Sequence, residues 1–205
     1  MRLEREAFMS RRGPWKIEAE RLAYDNPWVS LREYEVLRPD GAPGLYGVLE
    51  PKHIAVGVVP VFADGTTVLV GQYRFALDAY SWELPEGGGP LGEDPLETAR
   101  RELAEETGLV ADRWRELIGF DVSNSVTNER AVGYLAWELS EGKPHREGSE
   151  ADMVMKRIAL QDALEMAMSG RIRDGFTIVM LSAADHLARS GALDAGLARA
   201  ILSRP

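Results

Sequence analysis

Three carboxylates, Glu102, Glu105 and Glu106, fall within five positions, shortly after the glycine-rich stretch "GGGPLGEDP" at 87–95. On a helix, like charges three and four residues apart cost roughly 0.2–0.5 kcal/mol per pair. A hard divalent cation offsets that cost. Mg²⁺ and Mn²⁺ favour clustered carboxylate oxygens, with substrate phosphates and water completing the shell. Three acids alone would fit a solvated acidic face equally well. The stretch ahead of them favours the cation, because a glycine-rich loop exposes backbone carbonyls and amides and lets a bulky ligand approach the chain closely.

The helix that carries the acids has readable ends. Asp94 is an N-cap, Pro95 fits the first helical position, and Glu97 stands where a capping-box acid belongs. Gly108 supplies the C-terminal stop. Leu96, Ala99 and Leu103 recur at helical spacing and form the expected buried stripe. At about 100° per residue, Glu102, Glu105 and Glu106 share one sector beside that stripe. They therefore project together from a fixed backbone.

The rest of the chain sets limits. Its 205 residues suit one ordinary domain, or a core with a small accessory unit. No apolar run approaches the roughly 20 residues that span a bilayer. The start, "MRLEREAFMSRRGP", lacks the apolar stretch of a secretory signal. The absence of cysteine removes disulfides, thiolate metal sites and thiol nucleophiles. These features predict a cytoplasmic protein without a membrane partner. A net charge of −9 argues against nucleic-acid binding. An anionic substrate then needs local attraction, from cations and a few placed arginines. His53, His145 and His186 have no ligand spacing, so a zinc site is not expected, nor does a Ser-His-Asp order appear.

Residues 15–50 contain the alternating segments "WKIEAERLAY", "WVSLREYEVL" and "LYGVLE", separated by turn residues. They predict a small antiparallel meander, too small to be stable alone. From His53 onward, "IAVGVVPVF" and "TVLVGQYRF" flank Ala63-Asp64-Gly65-Thr66 and predict a central hairpin. Strands are expected in "RELIGFDVS", in "AVGYLAWEL" and near 153–158. Three helices are expected in "LQDALEMAMSG", "GFTIVMLSAADHLARSG" and "LDAGLARAIL". Strands interleaved with helices imply an α/β fold, a mixed sheet packed between helices.

Gly87, Glu93, Arg101-Glu102-Leu103, Glu105-Glu106, Gly108 and Leu109 fill every fixed place of the pattern G-x5-E-x7-R-E-U-x-E-E-x-G-U, where U is a bulky aliphatic residue. In this stretch, the Nudix box, the chain resembles the Nudix family. The resemblance implies an α/β/α sandwich over 51–205, preceded by the N-terminal β meander over 1–50. It implies metal-dependent hydrolysis of a nucleoside diphosphate linked to a second group. Glu102 and Glu106 would carry the metal, Mg²⁺ or Mn²⁺, with Glu105 as a further ligand or a positioner of water. The carbonyl of Glu86 matches another ligand position. Arg101 would orient the acids, since a guanidinium cannot bind a cation.

Outside the box the chain is similar to the ADP-ribose and nucleoside diphosphate sugar pyrophosphatase branch. In "GQYRFALDAYSWELPEGG", Arg74 matches an arginine that contacts the diphosphate, for which bidentate binding gives a physical reason. "VSNSVTNE" takes the place of a branch loop, and Glu129 matches an acid near substrate or metal. Asn124 departs from the proline typical of ADP-ribose hydrolases, which leaves other nucleoside diphosphate sugars open. Trp28 would stack on a nucleobase or pack at a subunit interface. Trp82 would belong to the core or the pocket wall. The general base falls in "HREGSEADMV", which offers Glu147, Glu150 and Asp152; Glu150 is the choice. The resemblance also implies a homodimer that exchanges its N-terminal strands. Two rivals are a housecleaning hydrolase of nucleoside triphosphates or dinucleoside polyphosphates, and a nucleotide-sugar sensor. The sensor should lack a box acid or carry a DNA-binding appendix, and neither is seen.

Overall fold

The computed structural model describes residues 6–145, 148 and 152–204, with side chains from residue 10 onward. Within it the chain forms two compact units, one of residues 6–53 with 121–129, the other of residues 54–120 with 130–204.

The first unit is an antiparallel sheet of four strands in chain order: β1 (Glu6–Arg12), β2 (Trp15–Asp25), β3 (Val29–Leu37) and β4 (Pro43–Pro51). Its turns follow from their residues. Asn26 accepts from the backbone N–H of Trp28 and of Val29, both at 2.8 Å, and closes the bend between β2 and β3. Asp40 and Gly41 do the same between β3 and β4, where Arg38 N–H reaches Ala42 O at 2.9 Å. The meander was expected to have three strands; β1 is a fourth. Its charged sequence conceals an edge strand, which needs only one covered face, and Gly13-Pro14 turns it directly into β2. On one face Ile17, Tyr34 and Val36 are buried, with Trp15, Tyr46 and Val48 packed against them. Leu22, Tyr24, Leu31, Leu45 and Leu49 remain exposed. Residues 121–129 run beside β4, where Leu49 N–H donates to Val126 O at 2.9 Å.

The second unit is the sandwich. Its strands are β5 (His53–Val61), β6 (Thr66–Arg74), β7 (Ala79–Glu83), β8 (Glu86–Pro90), β9 (Leu109–Asp121), β10 (Arg130–Glu141) and β11 (Val154–Ala159). Its helices are α1 (Pro95–Thr107), α2 (Leu160–Met168), α3 (Gly175–Arg189) and α4 (Ala195–Leu202). One sheet has the order β8-β5-β10-β9, with β5 and β10 parallel; the other is β11-β6-β7 and antiparallel. The two sheets lie between helices. Val56 and Val58 pack with Ala99 and Leu103 of α1. Val59 and Val61, of opposite parity on β5, pack with Leu160, Met180, Leu181 and Ile201 of α2, α3 and α4. Each such aliphatic contributes about 1.5–3 kcal/mol on burial. No described helix is long and apolar enough to cross a membrane.

One expectation fails here. β5 and β6 are joined by the tight turn at Phe62–Thr66, closed by Phe62 N–H to Thr66 O at 2.9 Å, yet they enter different sheets. β5 and the 68–71 part of β6 are apolar without alternation because both faces are covered there. Such runs carry no alternation that would reveal their pairing partner.

Candidate active site

Helix α1 begins and ends where its residues dictate. The Asp94 side chain accepts from Leu96 N–H at 3.0 Å, Pro95 takes the first turn, and Gly108 ends the helix with φ +74°. The Glu97 carboxylate turns to Arg100, at 2.6 Å. The buried face consists of Thr98, Ala99, Glu102, Leu103, Glu106 and Thr107, while Leu96 is only half-buried. The stripe is therefore rotated toward the acids. Glu102 is 6% exposed and Glu106 1%, which excludes a merely solvated acidic face. The Glu105 side chain, at 40%, is the outer member.

The first part of the glycine-rich stretch is a strand, and only 91–94 form a turn. Glu86–Pro90 forms β8 at the edge of its sheet. A Cβ on Gly87 would run into the Glu102 carboxylate, and one on Gly89 into the Thr98 side chain. The glycines thus let α1 press its acids against the strand.

Arg101 ties the outer part together. Its guanidinium meets Glu102 and Glu105, each at 2.8 Å, and donates to the Gly88 carbonyl at 3.2 Å. Glu106 accepts from the backbone N–H of Glu86 at 3.1 Å. The Glu86 side chain also enters the site: its Oε2 is buried without a hydrogen-bond partner. Burial, then the charges of Asp174 and Glu83, push the Glu86 carboxyl well above its usual range, against the pull of Arg74. Arg74 is 3.7 Å from Glu86 and is gripped by Glu83 through Nε, at 3.0 and 3.1 Å, and through a short Nη2 contact.

Glu83 and Asp174 were missed in the sequence. Glu83 had a signal: a charge next to apolar Leu84 and Trp82 must be paired if buried, and it is 3% exposed. Asp174 caps α3 by accepting from Thr177 N–H at 2.6 Å, and Thr177 Oγ1 accepts from Leu84 N–H at 2.8 Å. That contact sets the start of α3 against the corner between β7 and β8.

The structure therefore brings together Arg74, Glu86, Arg101, Glu102, Glu105 and Glu106 within the second unit. Asn124, Glu129 and Trp28 belong to the first. Asn124 lines a cavity of about 270 Å³ with Arg12, Trp15, Tyr34 and Tyr46, and Trp28 is 68% exposed and not among its walls. Burial raises the Glu129 carboxyl above its ordinary value. Trp82 is half-buried against the core of the second unit. Asp152 is exposed, while Glu147 and Glu150 lie outside the described residues.

The family match settles the frame of this geometry. The NUDIX domain family matches residues 51–175, and the nucleoside diphosphate sugar hydrolase N-terminal domain family matches 15–49. The chain belongs to the Nudix family. It is 36% identical over 152 residues, 73% of this chain and 72% of the relative, to an ADP-ribose pyrophosphatase of Mycobacterium tuberculosis. It is 36% identical over 124 residues, 60% of this chain and 67% of the relative, to an ADP-ribose pyrophosphatase of Bacillus subtilis. The crystal structure of an ADP compounds hydrolase shares the fold, with a TM-score of 0.73 at 19% identity over 85% of this chain and 94% of the other.

Nudix hydrolases generally require a divalent metal. Among the described residues, no three acids or histidines converge as a ready ligand set. Glu102 and Glu105 turn to Arg101, and Glu106 to an N–H of Glu86. The donor chemistry nevertheless fits a hard cation: all donors are oxygens, two of the acids are buried, and Glu86 presents an unpartnered oxygen.

Proposed function

We propose that this Nudix hydrolase splits the diphosphate of nucleoside diphosphate sugars such as ADP-ribose into a nucleoside monophosphate and a sugar phosphate. The observation that carries this reading is the complete box from Gly87 to Leu109, with two of its α1 acids, Glu102 and Glu106, buried, in a chain that also matches the nucleoside diphosphate sugar hydrolase N-terminal domain at 15–49.

Glu102, Glu106 and Glu105, with the carbonyl or side chain of Glu86, would hold Mg²⁺ or Mn²⁺. When bound, the cation would screen the phosphoryl charge and lower the pKa of water. The remaining work belongs to the chain. Arg101 keeps the acids oriented through its contacts with Glu102, Glu105 and the Gly88 carbonyl. Glu105, the acid open to solvent, or Glu150 takes the proton of the attacking water. Arg74 presents N–H donors to the diphosphate. Asn124 and Trp28 contact the sugar and the base, with Glu129 beside them. The partner in this reading is a second copy of the chain, docked through the N-terminal strands, whose exposed leucines support it.

The test is a panel of ADP-ribose, UDP-glucose, GDP-mannose, diadenosine polyphosphates and nucleoside triphosphates with Mg²⁺, products being read by ³¹P NMR. Nucleoside monophosphate and sugar phosphate are expected from the sugar nucleotides. Turnover of triphosphates alone would overturn the reading.

A further inference from the structure

Glu83 belongs to no box position, yet it is among the most buried charges of the second unit, at 3% exposure. It sits on β7 across from Val70 of β6, in a register that also pairs Gln72 with Ser81 and Arg74 with Ala79. Alternation puts Val70, Gln72 and Arg74 on one face, with Ser81 and Glu83 beside them. Arg74 ends β6, and beyond it the short 3-10 turn Phe75–Leu77 is exposed, with Phe75 97% open. Without a tether the arginine would follow that open turn into solvent. Instead its side chain is 38% exposed and lies back along the hairpin onto Glu83.

We infer that Glu83 is a positioning residue: its buried carboxylate holds the Arg74 guanidinium in the one orientation that presents its free edge to a diphosphate beside Glu86. The inference rests on the proposed diphosphate hydrolysis. A guanidinium carries five N–H groups in a fixed fork. Glu83 takes the Nε–H and one on Nη2, which leaves three, two of them side by side on the Nη1–Nη2 edge, the geometry for two phosphate oxygens. Glu86 stands 3.7 Å from Nη2 and marks the direction in which that edge faces. Stability alone gives weak reason for the pair, since apolar residues of similar volume commonly replace buried ion pairs without loss. Positioning gives a stronger one, because an arginine already immobilised loses less freedom when substrate arrives.

The experiment compares wild type, Glu83→Gln, Arg74→Lys and the double variant. It measures kcat and KM for ADP-ribose with Mg²⁺, and calorimetric Kd for α,β-methylene ADP-ribose in EDTA. Arg74→Lys loses the fork and should lower kcat/KM by about tenfold or more. Glu83→Gln should raise KM and the analogue's Kd by about three- to tenfold, the worth of one ordered side chain, with kcat within about twofold. The double variant should be no worse than Arg74→Lys alone, because one residue acts through the other. Should Glu83→Gln melt far below wild type, the same cycle with Glu83→Asp applies; that variant keeps the charge one methylene short and should fall between wild type and Glu83→Gln in KM. Losses that multiply independently, or a Kd untouched by Glu83→Gln, overturn the inference while wild-type turnover leaves the proposed function standing. A wild type that neither binds nor cleaves any sugar nucleotide overturns both.

Discussion

The backbone N–H of Glu86 donates to a carboxylate oxygen of Glu106 at 3.1 Å, joining the residue before the box's first glycine to the most buried acid of α1. This contact fixes Glu106 from the strand side, so its charge is held in place before any ligand arrives. Glu106→Gln keeps the shape and an oxygen acceptor for Glu86 N–H but removes the charge. Turnover should fall at least about a hundredfold, some 3 kcal/mol of barrier, while the thermal midpoint stays near wild type. EDTA should abolish activity, with Mg²⁺ or Mn²⁺ restoring it. Full turnover in chelator would exclude the metal-dependent mechanism.

Two glycines of β8 separate catalysis from stability. An added Cβ at Gly87 meets the tip of Glu102, the flexible end of a side chain, so the carboxylate gives way rather than the backbone. Gly87→Ala should therefore lower kcat by about tenfold or more and destabilise by only about 1 kcal/mol. An added Cβ at Gly89 meets Thr98, a stiff β-branched residue that is fully buried. Gly89→Ala should cost about 2–3 kcal/mol in thermal or urea unfolding. Equal stability loss in both variants would contradict this division.

The contrast shows which features the sequence discloses. α1 and its ends were readable because caps and fixed spacing are local chemistry, written in Asp94, Pro95 and Gly108. The close approach at Gly87 was not. Glycine signals a loop and a tight contact alike, and only the helix packed on β8 distinguishes them. The same limit hid the like charges that act on Glu86. Glu83 and Asp174 are placed near it by the corner between β7 and β8 and by the first turn of α3, which no sequence period encodes. β5 and β6 were recognised as strands, but their separation into two sheets depends on β10 and β11, far along the chain.

Asp185 carries a stability term that depends on pH. Its carboxylate accepts from Arg189 at 2.7 and 2.9 Å and from Gln161 at 2.8 Å, while Gln161 also donates to the Ile201 carbonyl, so the network spans α2, α3 and α4. The hydrogen bond from Arg189, more than any other effect, holds the Asp185 carboxyl below its ordinary value. A depressed carboxyl pKa stabilises the fold above the unfolded value, near 3.8, and that contribution disappears as pH falls through the folded value. Asp185→Asn keeps an oxygen that accepts from Gln161 but loses the charge that binds the Arg189 guanidinium, so it should be measurably less stable than wild type at pH 7. In urea titrations the gap to wild type should close in strong acid. A gap that widens in acid would reverse the assignment.

Leu31 and Leu49 face each other across β3 and β4 and are 37% and 39% exposed. If this face docks a second copy, charges there will split the assembly. Wild type should run as a dimer in light scattering, and Leu31→Glu with Leu49→Glu as a monomer with turnover lowered at least about tenfold. The melting transition should survive, since neither side chain is buried in its own sheet. An active, monodisperse wild-type monomer would contradict the dimer.

Asn124 occupies the second position of a turn in which Val126 N–H donates to Ser123 O at 3.2 Å. Proline adopts that position readily, so Asn124→Pro should fold. The substitution removes a backbone N–H donor and a side-chain amide that can donate to or accept from a sugar hydroxyl. In the wild-type protein this amide, exposed at the rim of the cavity lined by Arg12 and Trp15, should permit several sugar nucleotides, ADP-ribose among them. Loss of one such hydrogen bond changes selectivity by about 1 kcal/mol, several-fold in kcat/KM. Asn124→Pro should accordingly narrow the range toward ADP-ribose. The measurement is kcat/KM for each sugar nucleotide in both proteins. A wild type that already prefers ADP-ribose about a thousandfold over the others, a gap of some 4 kcal/mol, would remove Asn124 as the source of tolerance.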